Sequence, residues 1–291
     1  MRTEKEMFDL ILRVAQEDER IRAVYMNGSR TNRNAPKDLF QDYDIVYVVT
    51  QTKPFYEDRT WIDRFGERLY MQCPDEMDVL LGHGTDWDAF YGWLIQFADG
   101  NRLDLHVESV ERNCFLEDKL CVALLDKDGI LPSIPEPTDV DYWVKRPSAG
   151  EYRAACNEFW WCLNNVAKGL WREEIPYVQD MINNWIRTQL VKMLSWKVGT
   201  LTDFGVSCGK SGKYMYRWLP ADWWERFLQT YGGGNTEDIW RAVFVMCDLF
   251  DEAARDVGGQ LGFSYEEEEA ANGRKHLVHV HGLARDAVSY D

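Results

Sequence analysis

The chain has 291 residues, enough for two domains of ordinary size, and its 45% hydrophobic content, with 13 Trp, 14 Tyr and 13 Phe, is ample for packed cores. Its formal charge of −16, from 33 basic and 49 acidic residues, argues against a nucleic-acid partner, which needs a basic stripe to neutralise phosphates, and favours cationic ligands. No run of eighteen apolar residues is present, and Met1-Arg2-Thr3-Glu4-Lys5 opens directly into an amphipathic pattern, so neither a membrane span nor a secretory signal is expected.

Residues 5–19 place Met7, Phe8, Leu10, Ile11, Val14 and Ala15 at helical spacing. Residues 21–26 read as a strand that delivers the loop Asn27-Gly28-Ser29-Arg30, and a second strand opens at Asp42-Tyr43-Asp44 and runs to Val49. Helical spacing at 61–65, strands at 68–73, 90–97 and 101–107, and a helix at 111–125 complete the pattern. Together they predict an α+β fold whose first part, residues 1–135, is a mixed sheet with flanking helices. The prolines Pro132, Pro135 and Pro137 read as a linker. Beyond them the period is helical at 152–170, 177–197, 223–231 and 236–257, with Pro176 suited to a first turn and Gly199 to a helix end. Residues 136–291 are therefore expected to form a helical bundle, with Trp160, Trp161, Trp185, Trp196, Trp223 and Trp224 mostly in its core. The acidic run at 266–269 reads as a solvated face or loop, and His276, His279 and His281, alternating with valines, as a strand rather than a zinc site. Seven cysteines, an odd number without Cys-x-x-Cys, suit reduced, mostly buried thiols of a cytoplasmic protein.

The chemistry concentrates in the first part. In a strand, alternate side chains share a face, so Asp42 and Asp44 project together, about 6.5 Å apart along the chain. Hard divalent cations want oxygen ligands, and phosphates supply the remainder. Gly28 lets backbone approach a ligand closely, while the exposed amides and the Ser29 hydroxyl can hold phosphate oxygens. Asn101-Arg102-Leu103-Asp104-Leu105-His106-Val107 alternates polar and apolar, which puts Asp104 and His106 on one face. If that strand pairs with the Asp42–Asp44 strand, three carboxylates converge. These are the parts that move a nucleotidyl group from a nucleoside triphosphate. A second phosphate motif is discounted: Gly205-Val206-Ser207-Cys208-Gly209-Lys210-Ser211 has only three residues between its glycines where a P-loop needs four, and no strand precedes it.

The run Gly28-Ser29-Arg30-Thr31-Asn32, then Pro36-Lys37-Asp38 and Phe40-Gln41-Asp42-Tyr43-Asp44-Ile45, resembles the aminoglycoside 6-adenylyltransferases that inactivate streptomycin. Leu125-Asp126-Lys127-Asp128, Pro137-Thr138-Asp139-Val140-Asp141-Tyr142, Lys145-Arg146-Pro147-Ser148, Asn157-Glu158-Phe159-Trp160 and Ser195-Trp196-Lys197-Val198-Gly199 extend the likeness to about Phe263, and the tail after Tyr265 departs from it. The resemblance implies a nucleotidyltransferase domain followed by a helical substrate domain, with the antibiotic in the cleft between them. It implies ATP and Mg²⁺, transfer of AMP to a streptomycin hydroxyl, and release of pyrophosphate. Asp42, Asp44 and Asp104 become metal ligands, Asp104 also the candidate base, and Gly28 and Ser29 phosphate holders. Arg30 could touch the triphosphate, and Lys210 and Lys213, on a matching Gly-Lys…Lys loop, could cap its outer phosphates. Streptomycin's two guanidinium groups pair best with carboxylates, for which Glu158 and Asp180 are the candidates. The chain is expected to act as a monomer or weak homodimer, with no nucleic acid or membrane as partner. Two alternatives stay open: a nucleotidyltransferase acting on a non-antibiotic hydroxyl, and a catalytically silent nucleotide- or cation-binding protein of the same fold.

Overall fold

The computed structural model describes residues 1–112 and 118–290. The chain divides into two compact units, Met1–Asp141 and Tyr142–Asp291.

The first unit is a six-stranded mixed sheet with helices. Helix α1 (Glu4–Glu17) starts where Thr3 accepts from the Glu6 amide and the Glu6 carboxylate accepts from the Thr3 amide, so two backbone donors at the helix start are satisfied locally. Met7, Ile11, Val14 and Ala15 recur on one face and are buried against the sheet. The Tyr47 hydroxyl fixes the seating by donating to the Ile11 carbonyl at 2.6 Å. Strands β1 (Ile21–Asn27) and β2 (Tyr43–Val49) lead to short helix α2 (Lys53–Glu57) and a 3₁₀ turn at Trp61–Phe65. Then come β3 (Arg68–Gln72), α3 (Pro74–Leu80), β4 (Phe90–Phe97), β5 (Arg102–Ser109) and β6 (Cys121–Asp126). The sheet order is β3-β4-β5-β2-β1-β6, and only β2 and β5 run parallel. Ile45, Tyr47 and Val49 face α1, so Asp44, Val46 and Val48 face the other way. That second face is covered in part by Leu131 and Ile134 of the proline-containing segment, which packs on the sheet.

The helix expected at 111–125 gives way to a strand at its C-terminal end. Residues 121–126 are an edge strand antiparallel to β1, with Tyr25 opposite Ala123 and Met26 opposite Val122. A short apolar run suits either structure, and the free edge of β1 decides. The rest of that expectation falls partly on 113–117, outside the described residues, as does Cys114.

The second unit is helical: α4 (Ala149–Trp171), α5 (Ile175–Asp180), α6 (Arg187–Leu201), α7 (Ala221–Gln229), α8 (Thr236–Leu261) and α9 (Glu267–Gly282). Where one helix is expected at 177–197, a π-helical turn at Met181–Ile186 separates α5 from α6. Phe159 of α4 stacks on Phe250 of α8 with ring centroids 3.7 Å apart, at the centre of the core. Trp160, Trp196 and Trp223 are buried as expected, but Trp161 and Trp185 are exposed and Trp224 only partly covered. On α4 the buried face runs through Phe159, Trp160, Cys162 and Leu163, and Trp161 falls on the opposite, solvent side. The three histidines lie on α9, not on a strand: Ala270, Leu277 and Val280 form its buried face, and this helical period overrides the local alternation. The acidic run at 266–269 begins that helix, and Glu269 accepts from Arg153 at 2.6 Å and Asn157 at 2.7 Å. The six described cysteines are buried. Among the described residues, no helix is long and apolar enough to cross a membrane.

Candidate active site

The parallel pairing of β2 with β5 sets Asp44 directly opposite Asp104. Asp42 precedes β2 by one residue and has the same parity, so all three carboxylates come to one corner of the sheet. On the other side of β2, Asp44 is opposite Asn27 of β1, whose end delivers the Gly28-Ser29 loop. Gly28 has φ of +77°, and a Cβ there would lie 2.1 Å from Asp44 Oδ2. Only a residue without a side chain can bring this backbone so close to the carboxylate. The loop is closed by the Thr31 amide and hydroxyl, both donating to the Gly28 carbonyl, at 3.1 and 2.8 Å.

Three acidic groups in a half-buried corner repel one another. Burial, then Asp104 and Asp42, push the Asp44 carboxyl up to about 6. Burial also raises Asp42, with Arg102 opposing. The Arg102 guanidinium is the main counterweight: Nε and Nη2 donate to the two oxygens of Asp104 at 2.8 and 2.7 Å, and Nη1 lies 3.5 Å from Asp42 Oδ2. Sequence reasoning passed over Arg102, although its spacing of two from Asp104 on an alternating strand puts both on one face. Behind the carboxylates, His106 is stacked on Phe90 with centroids 4.7 Å apart, in space left by the missing side chain of Gly92. Burial lowers its imidazole to about 4, so it is neutral near pH 7.

The donor set suits a hard divalent cation: every ligand atom is a carboxylate oxygen, and the raised proton affinity of Asp44 reflects crowded negative charge that a cation relieves. As the side chains stand, however, no three Asp, Glu, His or Cys groups among the described residues converge closely enough to hold one ion. The expected triad shares a corner without closing around a point.

The other expected residues divide by unit. Ser29 borders the site, with the Gln41 amide 3.5 Å from its hydroxyl oxygen. Arg30 is committed to the loop: it donates to the carbonyls of Asp42 at 3.0 Å and Gln41 at 2.8 Å, and lies 3.7 Å over the Tyr43 ring. In this arrangement it fixes the entry to β2. Lys210 and Lys213 belong to the second unit, on a loop closed by the Tyr214 amide donating to Cys208 O at 2.8 Å. Both are exposed, and neither makes an ion pair with a described residue. Glu158, half-buried on α4, accepts from the Cys162 thiol at 3.4 Å, and Asp180, exposed at the end of α5, accepts from Asn184 at 2.8 Å.

A streptomycin adenylyltransferase family model matches residues 1–280. The chain belongs to the streptomycin adenylyltransferase family. It is 38% identical over 270 residues to an aminoglycoside 6-adenylyltransferase of Bacillus subtilis (strain 168), covering 92% of this chain and 94% of that protein. It is also 38% identical over 267 residues to one of Campylobacter jejuni, covering 91% of each. A crystal structure of an aminoglycoside 6-adenyltransferase from Bacillus subtilis aligns with 97% of this chain and 100% of its own at 32% identity, with a TM-score of 0.48. The family match spans both units, so the acidic corner of the first and the helical second are parts of one family architecture.

Proposed function

We propose that this protein transfers the AMP group of ATP to a hydroxyl of streptomycin and releases pyrophosphate. The observation that carries the reading is the register that sets Asp44 opposite Asp104 beneath the Gly28 backbone, in a chain of this family. Asp42, Asp44 and Asp104 would hold Mg²⁺, which when bound neutralises the charge that develops on the α-phosphate and the departing pyrophosphate. Gly28 and Ser29 present amides and a hydroxyl to phosphate oxygens at the edge of the carboxylates. The acceptor hydroxyl has a high pKa, and a carboxylate within hydrogen-bond reach takes its proton as the oxygen attacks. Asp104 is the candidate for that step. Both of its oxygens accept from Arg102, so proton acceptance requires that fork to loosen. Glu158 and Asp180 are the proposed partners of the streptomycin guanidinium groups, and Lys210 and Lys213 of the outer phosphates. An acidic molecule with no basic stripe suits a dicationic acceptor.

Mass spectrometry of the protein incubated with ATP, Mg²⁺ and streptomycin tests the reading. A streptomycin–AMP adduct with stoichiometric pyrophosphate is expected. No adduct under conditions where the protein is folded and binds nucleotide would refute it, and an adduct on a different aminoglycoside only would move the acceptor.

A further inference from the structure

Arg102 stands between two carboxylates on different strands, Asp104 of β5 and Asp42 at the entry to β2. Its guanidinium donates to both Asp104 oxygens in the forked geometry that makes Arg–carboxylate pairs strong and directional. The Asp104 side chain is 13% exposed, whereas Arg102 is 43% exposed, so the acid is fixed in the sheet and the base reaches in from its rim. The nearby Arg30 is already bound to main-chain carbonyls. Arg102 is thus the cation whose side chain reaches the carboxylates of both Asp104 and Asp42.

We propose that Arg102 is a built-in counter-ion of the metal-free protein, occupying the place of a divalent cation and giving it up when the cation binds. The inference rests on the reading of Asp42, Asp44 and Asp104 as a cation site. Its physical basis is competition: a guanidinium and a divalent ion cannot both take the inner oxygens of Asp104 and Asp42, because like charges at that distance repel strongly in a half-buried site. Metal-free, Arg102 offsets part of the negative charge of the corner. On loading, Asp104 and Asp42 turn from the fork to the ion, and the Arg102 side chain swings to the solvent-exposed rim. The cost of breaking the fork is subtracted from cation affinity, so empty enzyme holds metal weakly.

The probe is Mn²⁺ alone, with binding measured by the loss of its free electron paramagnetic resonance signal, without nucleotide. Arg102→Gln should bind Mn²⁺ about tenfold or more tightly than the unaltered protein, since the competing charge is gone. Arg102→Lys, which keeps the charge but cannot fork two oxygens, should tighten binding less. Metal-free Arg102→Gln should also melt lower, and Mn²⁺ should restore it by a larger shift than it gives the unaltered protein. If Arg102→Gln does not fold, Arg102→Lys carries the test in the same direction. A merely structural arginine predicts a lower melting temperature with unchanged Mn²⁺ affinity, and that result, or weaker binding in both variants, overturns the proposal. If no Asp42-dependent Mn²⁺ binding occurs in any folded variant, the cation-site reading itself fails and takes this inference with it.

Discussion

Gly28 and Asp44 share a volume in which no side chain fits at position 28. Gly28→Ala should lose stability from the left-handed backbone alone by about 1–2 kcal/mol. Its methyl group, 2.1 Å from Asp44 Oδ2, should also displace the carboxylate and remove most transfer activity. Denaturant unfolding and an AMP-transfer assay check the two losses separately, and an active Gly28→Ala protein would show that the loop need not touch Asp44. Asp44 itself makes a prediction of opposite sign for stability and activity. Its carboxyl is raised from 3.8 to about 6, so the folded protein holds this proton more tightly than the unfolded chain. The contribution is therefore present at low pH and is lost as pH rises through about 4 to 6. In metal-free protein at pH 7.5, Asp44→Asn should be more stable than the unaltered chain by roughly 1–2 kcal/mol, and the difference should shrink toward pH 4. Transfer should meanwhile fall about 10³-fold or more, the loss of a metal ligand. Equal stability of the two proteins at pH 7.5 in EDTA would contradict the crowding of negative charge at this corner.

At the scale of elements, the site depends on two strands being in register and the core on helices meeting by their buried faces. Strand β5 is locked between β2 and β4, with Asp104 opposite both Asp44 and Leu94, so its carboxylate has little freedom to shift along the sheet. In the helical unit, Phe159 and Phe250 stack face to face between α4 and α8. Phe250→Ala should cost about 3–5 kcal/mol of stability by leaving a cavity in a fully buried position. Because Phe250 lies in the other unit from the carboxylates, Mn²⁺ binding by the folded fraction should be unchanged, which calorimetry and the free-Mn²⁺ signal report together. Loss of Mn²⁺ binding in a folded Phe250→Ala protein would show that the units are coupled through their cores.

For the whole molecule, the net charge of −16 and the acidic corner act together, against an anionic ligand and in favour of a cationic one. ATP alone adds negative charge to an acidic site and should raise the melting temperature little, whereas ATP with Mg²⁺ should raise it clearly and EDTA should erase the gain. Equal stabilisation by ATP with and without metal would remove the carboxylates from nucleotide binding. Streptomycin should bind more weakly as salt rises, because screening shortens the reach of the acidic field to about 8 Å at 0.15 M. Asp180→Asn or Glu158→Gln should weaken it about tenfold where the carboxylate pairs with a guanidinium, with ATP affinity as internal control in titration calorimetry. If neither does, the guanidinium partners are other acidic residues.

Much of this was legible in short stretches of chain. Met7, Ile11, Val14 and Ala15 specify a buried helical face, and the alternation of β2 and β5 specifies which side chains share a side, because both periods are written within a few residues. The Gly-Ser loop and Asp-x-Asp were readable for the same reason, and with the wider likeness they pointed to the family that the whole-chain match then established. Where two local periods competed, sequence alone erred. Residues 121–126 joined a sheet edge, and the histidines followed the buried face of α9, since pairing and burial with distant segments outweigh local alternation. The register of β2 on β5, the closeness of Gly28 to Asp44 and the bridging of Asp42 and Asp104 by Arg102 were decided only by tertiary structure. Each joins residues brought together by folding, and no spacing along a chain determines which atom of one strand comes to rest against which atom of another.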